Sequence, residues 1–156
     1  MKIELVFAYG SNRDLAQMRE RCPNSSLSPF AAEARGWKLC FPRESKKRNG
    51  GVGSVVRAED SSVWGVVFAV SDRDLIRLDR FEGVGTQAYR REMIELRDLN
   101  GHPANAWTYF ANAEGIGECV PHRDYIDLYI RGAEHFALPE DYVRTLREIR
   151  AGAKLD

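Results

Sequence analysis

The sequence predicts an α+β fold: one antiparallel sheet able to close into a barrel, with helices packed beside it. Two observations carry this. Segments of strand length come mostly first, and helix-spaced segments dominate from Pro121 onward. No repeat, linker or composition break divides the chain, so residues 1–156 form one domain, large enough to bury a sizeable core.

The elements follow in order. Lys2 to Tyr9 is a buried strand of β-branched and aromatic residues. Ser11 or Asn12 can cap a helix over Arg13 to Arg21, which stops at Cys22-Pro23. Phe30 to Phe41 is a strand interrupted near Arg35-Gly36. Gly53 to Ala58 and Val63 to Val70 are two further strands, with Glu59 to Ser62 as the turn between them. Ser71 caps the next helix, with Asp72 and Asp74 in its first turn and Leu75, Ile76, Leu78 and Phe81 on its apolar side. Tyr89 to Leu99 alternates as a strand, and Asn100-Gly101 turns it back into Ala104 to Ala111. Tyr125, Leu128, Tyr129 and Ala133 share one helix face; Pro139 opens a last helix bearing Tyr142, Val143, Leu146 and Ile149.

Composition excludes several classes. Lys plus Arg equals Asp plus Glu at 23 each, so no long-range field draws nucleic acid or an anionic membrane. The local basic run Arg43 to Arg48 sits beside Asn49-Gly50-Gly51 and is expected to be a solvated loop. The three cysteines have no metal-ligand or CxxC spacing, and no metal is expected. "MKIELVF" lacks the pattern of a signal peptide, and no apolar run approaches a membrane span. A reducing, cytoplasmic setting with inert thiols is the expectation.

Two stretches can carry chemistry. In "FAYGSN", a strand ends in Gly10 just before a helix, a place where backbone N–H groups gather and positive potential accumulates. Such a turn suits a carboxylate or a developing oxyanion; a plain strand–turn–helix connection is the alternative. In "LDRFEGVGTQAYRRE", Glu82 stands where a helix ends, near Phe81, Val84 and Tyr89. The negative end of the helix dipole and apolar neighbours would raise its pKa toward the range of a general base. A surface glutamate before a capping glycine is the alternative. Tyr125 is either a core aromatic or a hydroxyl reaching a pocket. "GGVGS" at Gly50 to Ser54 lacks a P-loop lysine and is expected to be a lid or turn. His102, His122 and His135 share no ligand spacing and are expected at surface or capping positions.

Together these pieces resemble the γ-glutamylcyclotransferase family within the wider AIG2-like group. The resemblance runs nearly end to end, through "FAYGSN", "GGVGSVV", "VWGVVFAV", "LDRFEGV" with Tyr89 seven residues beyond its glutamate, and "PHRDYIDLYIRGAEHFALPEDY". It implies a mixed, barrel-like β-sheet flanked by helices and an enzyme of glutathione metabolism. The implied reaction is cyclotransfer: the α-amino group of a γ-glutamyl amide attacks its own side-chain carbonyl, giving 5-oxoproline and a free amine without cofactor or metal. By resemblance Glu82 is the base and then the acid. Val6, Phe7, Ala8, Tyr9, Gly10 and Ser11 bind substrate largely through backbone groups, Asn12 shapes and caps the loop, and Tyr89 and Tyr125 line the pocket. Two departures, Phe81 and the composition of residues 42–53, bear on the leaving-amine side.

Two other functions compete: a cyclotransferase specialised for a larger metabolite or a lysine-linked amide, and a non-catalytic small-molecule-binding domain that kept the pocket. The expected partner is a small γ-glutamyl molecule. A homodimer through aromatics near Tyr129 and Phe136 is a further reading, and a buried helix face explains them equally.

Overall fold

The structure, a computed structural model, describes residues 2–112 and 118–156, apart from the Asn12 side chain. Five strands, β1 (Ile3–Ala8), β2 (Leu27–Ser45), β3 (Gly50–Ser71), β4 (Tyr89–Asp98) and β5 (Pro103–Ala111), form a closed barrel in the order β1-β3-β2-β4-β5. Neighbours are antiparallel except where β1 meets β5 in parallel, Val6 beside Trp107, and closes the ring. The helices are α1 (Leu15–Arg21), α2 (Asp72–Phe81), α3 (Arg123–His135) and α4 (Glu140–Ala151).

The Val6–Ala8 end of β1 and the two ends of β3 are buried on both faces, which is why they read as apolar runs. Successive side chains of β1 go to opposite sides. Phe7 joins a cluster with Val67, Ile94, Phe110 and, from α3 and α4, Ile126, Tyr129 and Leu146. Val6 and Ala8 join another with Val66, Phe68, Met18 of α1 and Leu75 and Leu78 of α2. The mixed α+β barrel expected from sequence is the fold observed.

Several elements differ from expectation. The two strands expected at 53–58 and 63–70 are one strand, β3. Asp60 takes a positive φ of 63° opposite Gly36 at 83°, and the β2–β3 register slips between Arg35 and Trp37. The polar Glu59–Ser62 stretch is therefore a bulge that bends the strand, not a turn that ends it. Helix α1 is capped by Asp14, whose carboxylate accepts from the Gln17 amide at 3.3 Å, and not by Ser11 or Asn12. On α2 the apolar side is narrower than expected: Leu75 and Leu78 are buried, but Ile76 and Phe81 are each 55% exposed. Ser71 does cap α2, its hydroxyl accepting from the Asp74 amide at 3.1 Å. No helix among the described residues is long and apolar enough to cross a membrane.

Candidate active site

Two local structures bring distant parts of the chain to one place. The first follows β1. Ladder pairing ends at Ala8 opposite Val66, and Ser11–Arg13 then forms a 3-10 turn in which the Arg13 amide donates to the Gly10 carbonyl at 3.1 Å. Gly10 is required by close approach: a Cβ there would lie 2.8 Å from the Tyr129 hydroxyl. Beneath the turn, Arg13 is fully buried. Its guanidinium donates to the carbonyls of Tyr129 (2.7 Å) and Trp64 (3.1 Å). Among the described residues it forms no ion pair, so a positive charge is fixed under the Tyr9–Ser11 loop.

The second is the end of α2. Glu82 is the C-cap, Gly83 follows with φ of 70°, the Gly83 amide donates to Arg80 O (3.1 Å) and the Val84 amide to Asp79 O (2.9 Å). This is the Schellman arrangement, with the apolar Val84 tucked against the core. Glu82 is half-buried on this rigid corner.

The two corners face each other across a small cavity of about 50 Å³, lined by Phe7, Ala8, Tyr9, Gly10 and Ser11 on one side and Glu82 and Tyr89 on another. Gly53, Thr108, Tyr109, Tyr125 and Tyr129 complete its wall. The walls are locked by hydrogen bonds. The Gly53 amide donates to the Tyr125 hydroxyl at 2.9 Å, the Tyr89 hydroxyl donates to Gly53 O at 2.9 Å, and the Tyr125 and Tyr129 hydroxyls are 2.9 Å apart. Thr108 Oγ1 donates to Phe7 O at 2.9 Å, and Tyr9 Oη donates to Tyr109 O. Burial pushes the pKa of each lining tyrosine up, and the Glu82 charge adds to this at Tyr9, Tyr89, Tyr109 and Tyr125. These phenols therefore stay protonated at neutral pH; Tyr9, Tyr89 and Tyr109 donate their single hydrogen to Tyr109 O, Gly53 O and Asp79, which leaves the Tyr125–Tyr129 pair with one hydrogen to offer into the cavity.

Past Ser11, Glu82, Tyr89 and Tyr125 the cavity opens into an outer pocket of about 350 Å³. Its far wall is the tip of the β2–β3 hairpin, residues Arg43 to Arg48, with Arg21 of α1 beside it. Arg43 to Ser45 end β2, and Lys46 to Asn49 form the turn, with Lys46 and Lys47 exposed.

Of the residues expected at the site, Phe7, Ala8, Tyr9, Gly10, Ser11, Glu82, Tyr89 and Tyr125 line the inner cavity. Val6 does not: strand alternation turns its side chain into the cluster shared with Met18 and Leu78. The Asn12 side chain lies outside the described positions. Gly50 to Ser54, expected to be a lid or turn, is instead the buried start of β3. A Cβ on Gly53 would fall 2.0 Å from the Tyr129 hydroxyl, and one on Gly51 2.2 Å from Cys119 O, so these glycines answer to close packing. Sequence reasoning missed Thr108, Tyr109 and Tyr129 as cavity residues. The four-residue spacing of Tyr125 and Tyr129 was the usable sign, since it stacks two hydroxyls on one helix face. Phe136 is half-buried and packs against Phe68, and Tyr129 is 1% exposed; both aromatics are used within the chain. His122 caps α3, its Nδ1 accepting from the Asp124 amide at 3.1 Å. Cys22 and Cys40 are free, with thiol pKa values pushed up to about 11 by burial, so they are weak nucleophiles at neutral pH.

The barrel fold is shared with known proteins. The model of the AIG2-like family matches residues 62–146, more than half of the chain, and the chain belongs to that family. Within the family it is similar to proteins of one kind. The γ-glutamylcyclotransferase of Mus musculus is 28% identical over 149 residues, 93% of this chain and 78% of that protein. That of Homo sapiens is 27% identical over 149 residues with the same coverage. A solved γ-glutamyl cyclotransferase structure superposes with a TM-score of 0.86 at 25% identity, covering 94% of this chain and 87% of that one. These relatives support a cyclotransferase-family enzyme.

Proposed function

We propose that this chain is a γ-glutamylcyclotransferase that converts a γ-glutamyl amide into 5-oxoproline and a free amine. The observation that carries the reading is the shared cavity: Glu82 and the Tyr9–Ser11 turn, 71 residues apart from Ser11 to Glu82, line one hollow with no other charged side chain in it among the described residues.

The reaction needs three things of this chain. The substrate's α-amino group attacks as the neutral amine, and Glu82 takes the proton that this nitrogen sheds as its new bond forms. The nitrogen then bonds to the γ-carbonyl carbon, and the oxygen that becomes negative needs donors. The amides that leave the ladder at Tyr9, Gly10 and Ser11 and the remaining hydrogen of the Tyr125–Tyr129 pair supply them, with Arg13 beneath adding positive potential. Glu82 returns the proton to the departing nitrogen, the original amide bond breaks, and the lactam is released. One C–N bond forms and one breaks, so no water or external reactant is consumed. Nucleophile and electrophile belong to one molecule, so the balance closes without a cofactor. Folding the glutamyl chain into a near-attack shape contributes most; such proximity effects reach about 7–11 kcal/mol. A reducing, cytoplasmic setting belongs to the same proposal and fits the free thiols.

The test is incubation with γ-glutamyl-alanine, which yields 5-oxoproline and alanine in equal amounts. Glu82→Gln lowers kcat by about 10²–10⁴ while substrate still binds, as measured by calorimetry. Wild-type turnover in that variant would remove Glu82 from the mechanism, and absence of 5-oxoproline from every γ-glutamyl amide in a broad panel would defeat the reaction itself.

A further inference from the structure

The outer pocket carries a charge pattern that the reaction does not use. Among the described residues, five cations, Arg21, Arg43, Lys46, Lys47 and Arg48, line it against two carboxylates, Glu44 and Glu82. Glu44 is taken up by Lys154, whose ammonium lies 2.9 Å away. Among the described residues, Arg43, Lys46, Lys47 and Arg48 form no ion pair with any carboxylate of the chain. Two of these cations are tied to the reaction site: the Arg43 guanidinium lies 5.6 Å from the Tyr89 ring centre and that of Arg48 5.4 Å from the Tyr125 ring centre. Those are the tyrosines that hold Gly53 from its two sides. Burial lowers the Arg21 pKa, the Glu82 carboxylate opposes this, and the Arg48 charge adds a smaller lowering across the pocket. Arg43 and Arg48, held beside aromatic faces with Lys46 and Lys47 next to them and no ion pair among the described residues, form an anion site.

Position decides what the anion is. Ser11, Glu82, Tyr89 and Tyr125 border both cavities. A leaving nitrogen within reach of Glu82 therefore sends its substituent outward, toward the hairpin tip. An ordinary amino-acid leaving group brings one carboxylate there, leaving most of the cations unmatched. We infer that the outer pocket selects a leaving amine carrying two carboxylates, an acidic amino acid such as glutamate or aspartate. This rests on the cyclotransferase reading above and deepens it. Room is not limiting, since the outer pocket is about 350 Å³.

The experiment is a kcat/KM series at low salt with γ-glutamyl-glutamate, γ-glutamyl-alanine, γ-glutamyl-ethylamide and α-amino-linked γ-glutamyl-lysine. Each carboxylate added to the leaving group raises kcat/KM by about tenfold, mainly through KM. The lysine adduct falls below the alanine adduct. Raising the salt compresses the whole series, because half-exposed charge pairs are screened. Arg43→Gln combined with Arg48→Gln shrinks the ratio of the glutamate adduct to the ethylamide. A flat or inverted order in the wild-type protein overturns the inference and leaves the cyclotransferase reading standing. No 5-oxoproline from any of the four removes both.

Discussion

Among the described residues, the polar side chains of the inner cavity are five phenols, two hydroxyls and a single carboxylate, whereas the outer pocket is lined with five cations on a hairpin tip and a helix end. Burial explains the difference. A phenol can be taken out of water if one hydrogen bond is kept, and Tyr9, Tyr89, Tyr109, Tyr125 and Tyr129 each keep one. Apart from Arg13, buried against two carbonyls, the guanidinium and ammonium groups of the site sit where the barrel opens and water reaches them. The inner region fixes geometry through backbone-locked donors, and the outer one sets preference through charge. Each can be disturbed without the other, and the predictions use this.

The largest effect is expected from alkali. All six tyrosines of the chain, the five above and Tyr142, have pKa values raised by burial. With the folded value above the unfolded one, the stabilisation is fully present below about pH 10 and is lost as pH rises beyond it. Each phenol that ionises only on unfolding adds a slope of about 1.4 kcal/mol per pH unit against the fold. Tyrosinate absorbance and loss of ellipticity should therefore appear in one transition. Phenols that ionise at ordinary pH while the ellipticity persists would show the inner wall to be open to water and erase the contrast between the two regions.

Next in size is a pair of glycine substitutions. Gly53→Ala puts a Cβ 2.0 Å from the Tyr129 hydroxyl, inside the locked wall, whereas a Cβ on Gly85, in the exposed segment between α2 and β4, meets nothing within 4 Å. Overpacking costs about 1–3 kcal/mol, so Gly53→Ala lowers Tm by about 3–10 °C and impairs 5-oxoproline formation. Gly85→Ala leaves both within error. Equal behaviour of the two variants in thermal melts and turnover would mean the inner wall yields as easily as the rim.

How far these regions were legible in the sequence follows the same division. Signals that act over a few residues came through: the Ser71 cap, the Asn100-Gly101 hairpin, and the helical faces of α3 and α4. The Tyr9–Ser11 turn and Glu82 stood out because each is a local rupture, a strand or helix ending in glycine. What failed depended on partners far along the chain. Glu59 to Ser62 looked like a turn because its polarity is local, while its role as a bulge is set by Gly36 on β2. Gly50 to Ser54 looked flexible, yet those glycines are small because Cys119, Tyr125 and Tyr129 press on them. Arg43 to Arg48 looked like solvated charge, and only the barrel places it over Tyr89 and Tyr125.

The smallest effects separate the tyrosines themselves. Tyr125→Phe leaves the buried Gly53 amide without its acceptor, a loss of about 1–3 kcal/mol. Tyr129→Phe removes only the bond between the two hydroxyls, about 0.5–1.5 kcal/mol. The second substitution also makes room. Without the Tyr129 oxygen, the nearest atoms to a Cβ on Gly53 are Cζ of residue 129 at 3.2 Å and the Tyr125 hydroxyl at 3.5 Å. Gly53→Ala and Tyr129→Phe together should therefore cost less than the sum of the two, with a coupling of about 0.5–3 kcal/mol from denaturant melts of the four proteins. Strict additivity would mean that Tyr129 already has somewhere else to go. The inner wall would then be held by its packing in general, and not by the contact of one hydroxyl with one glycine.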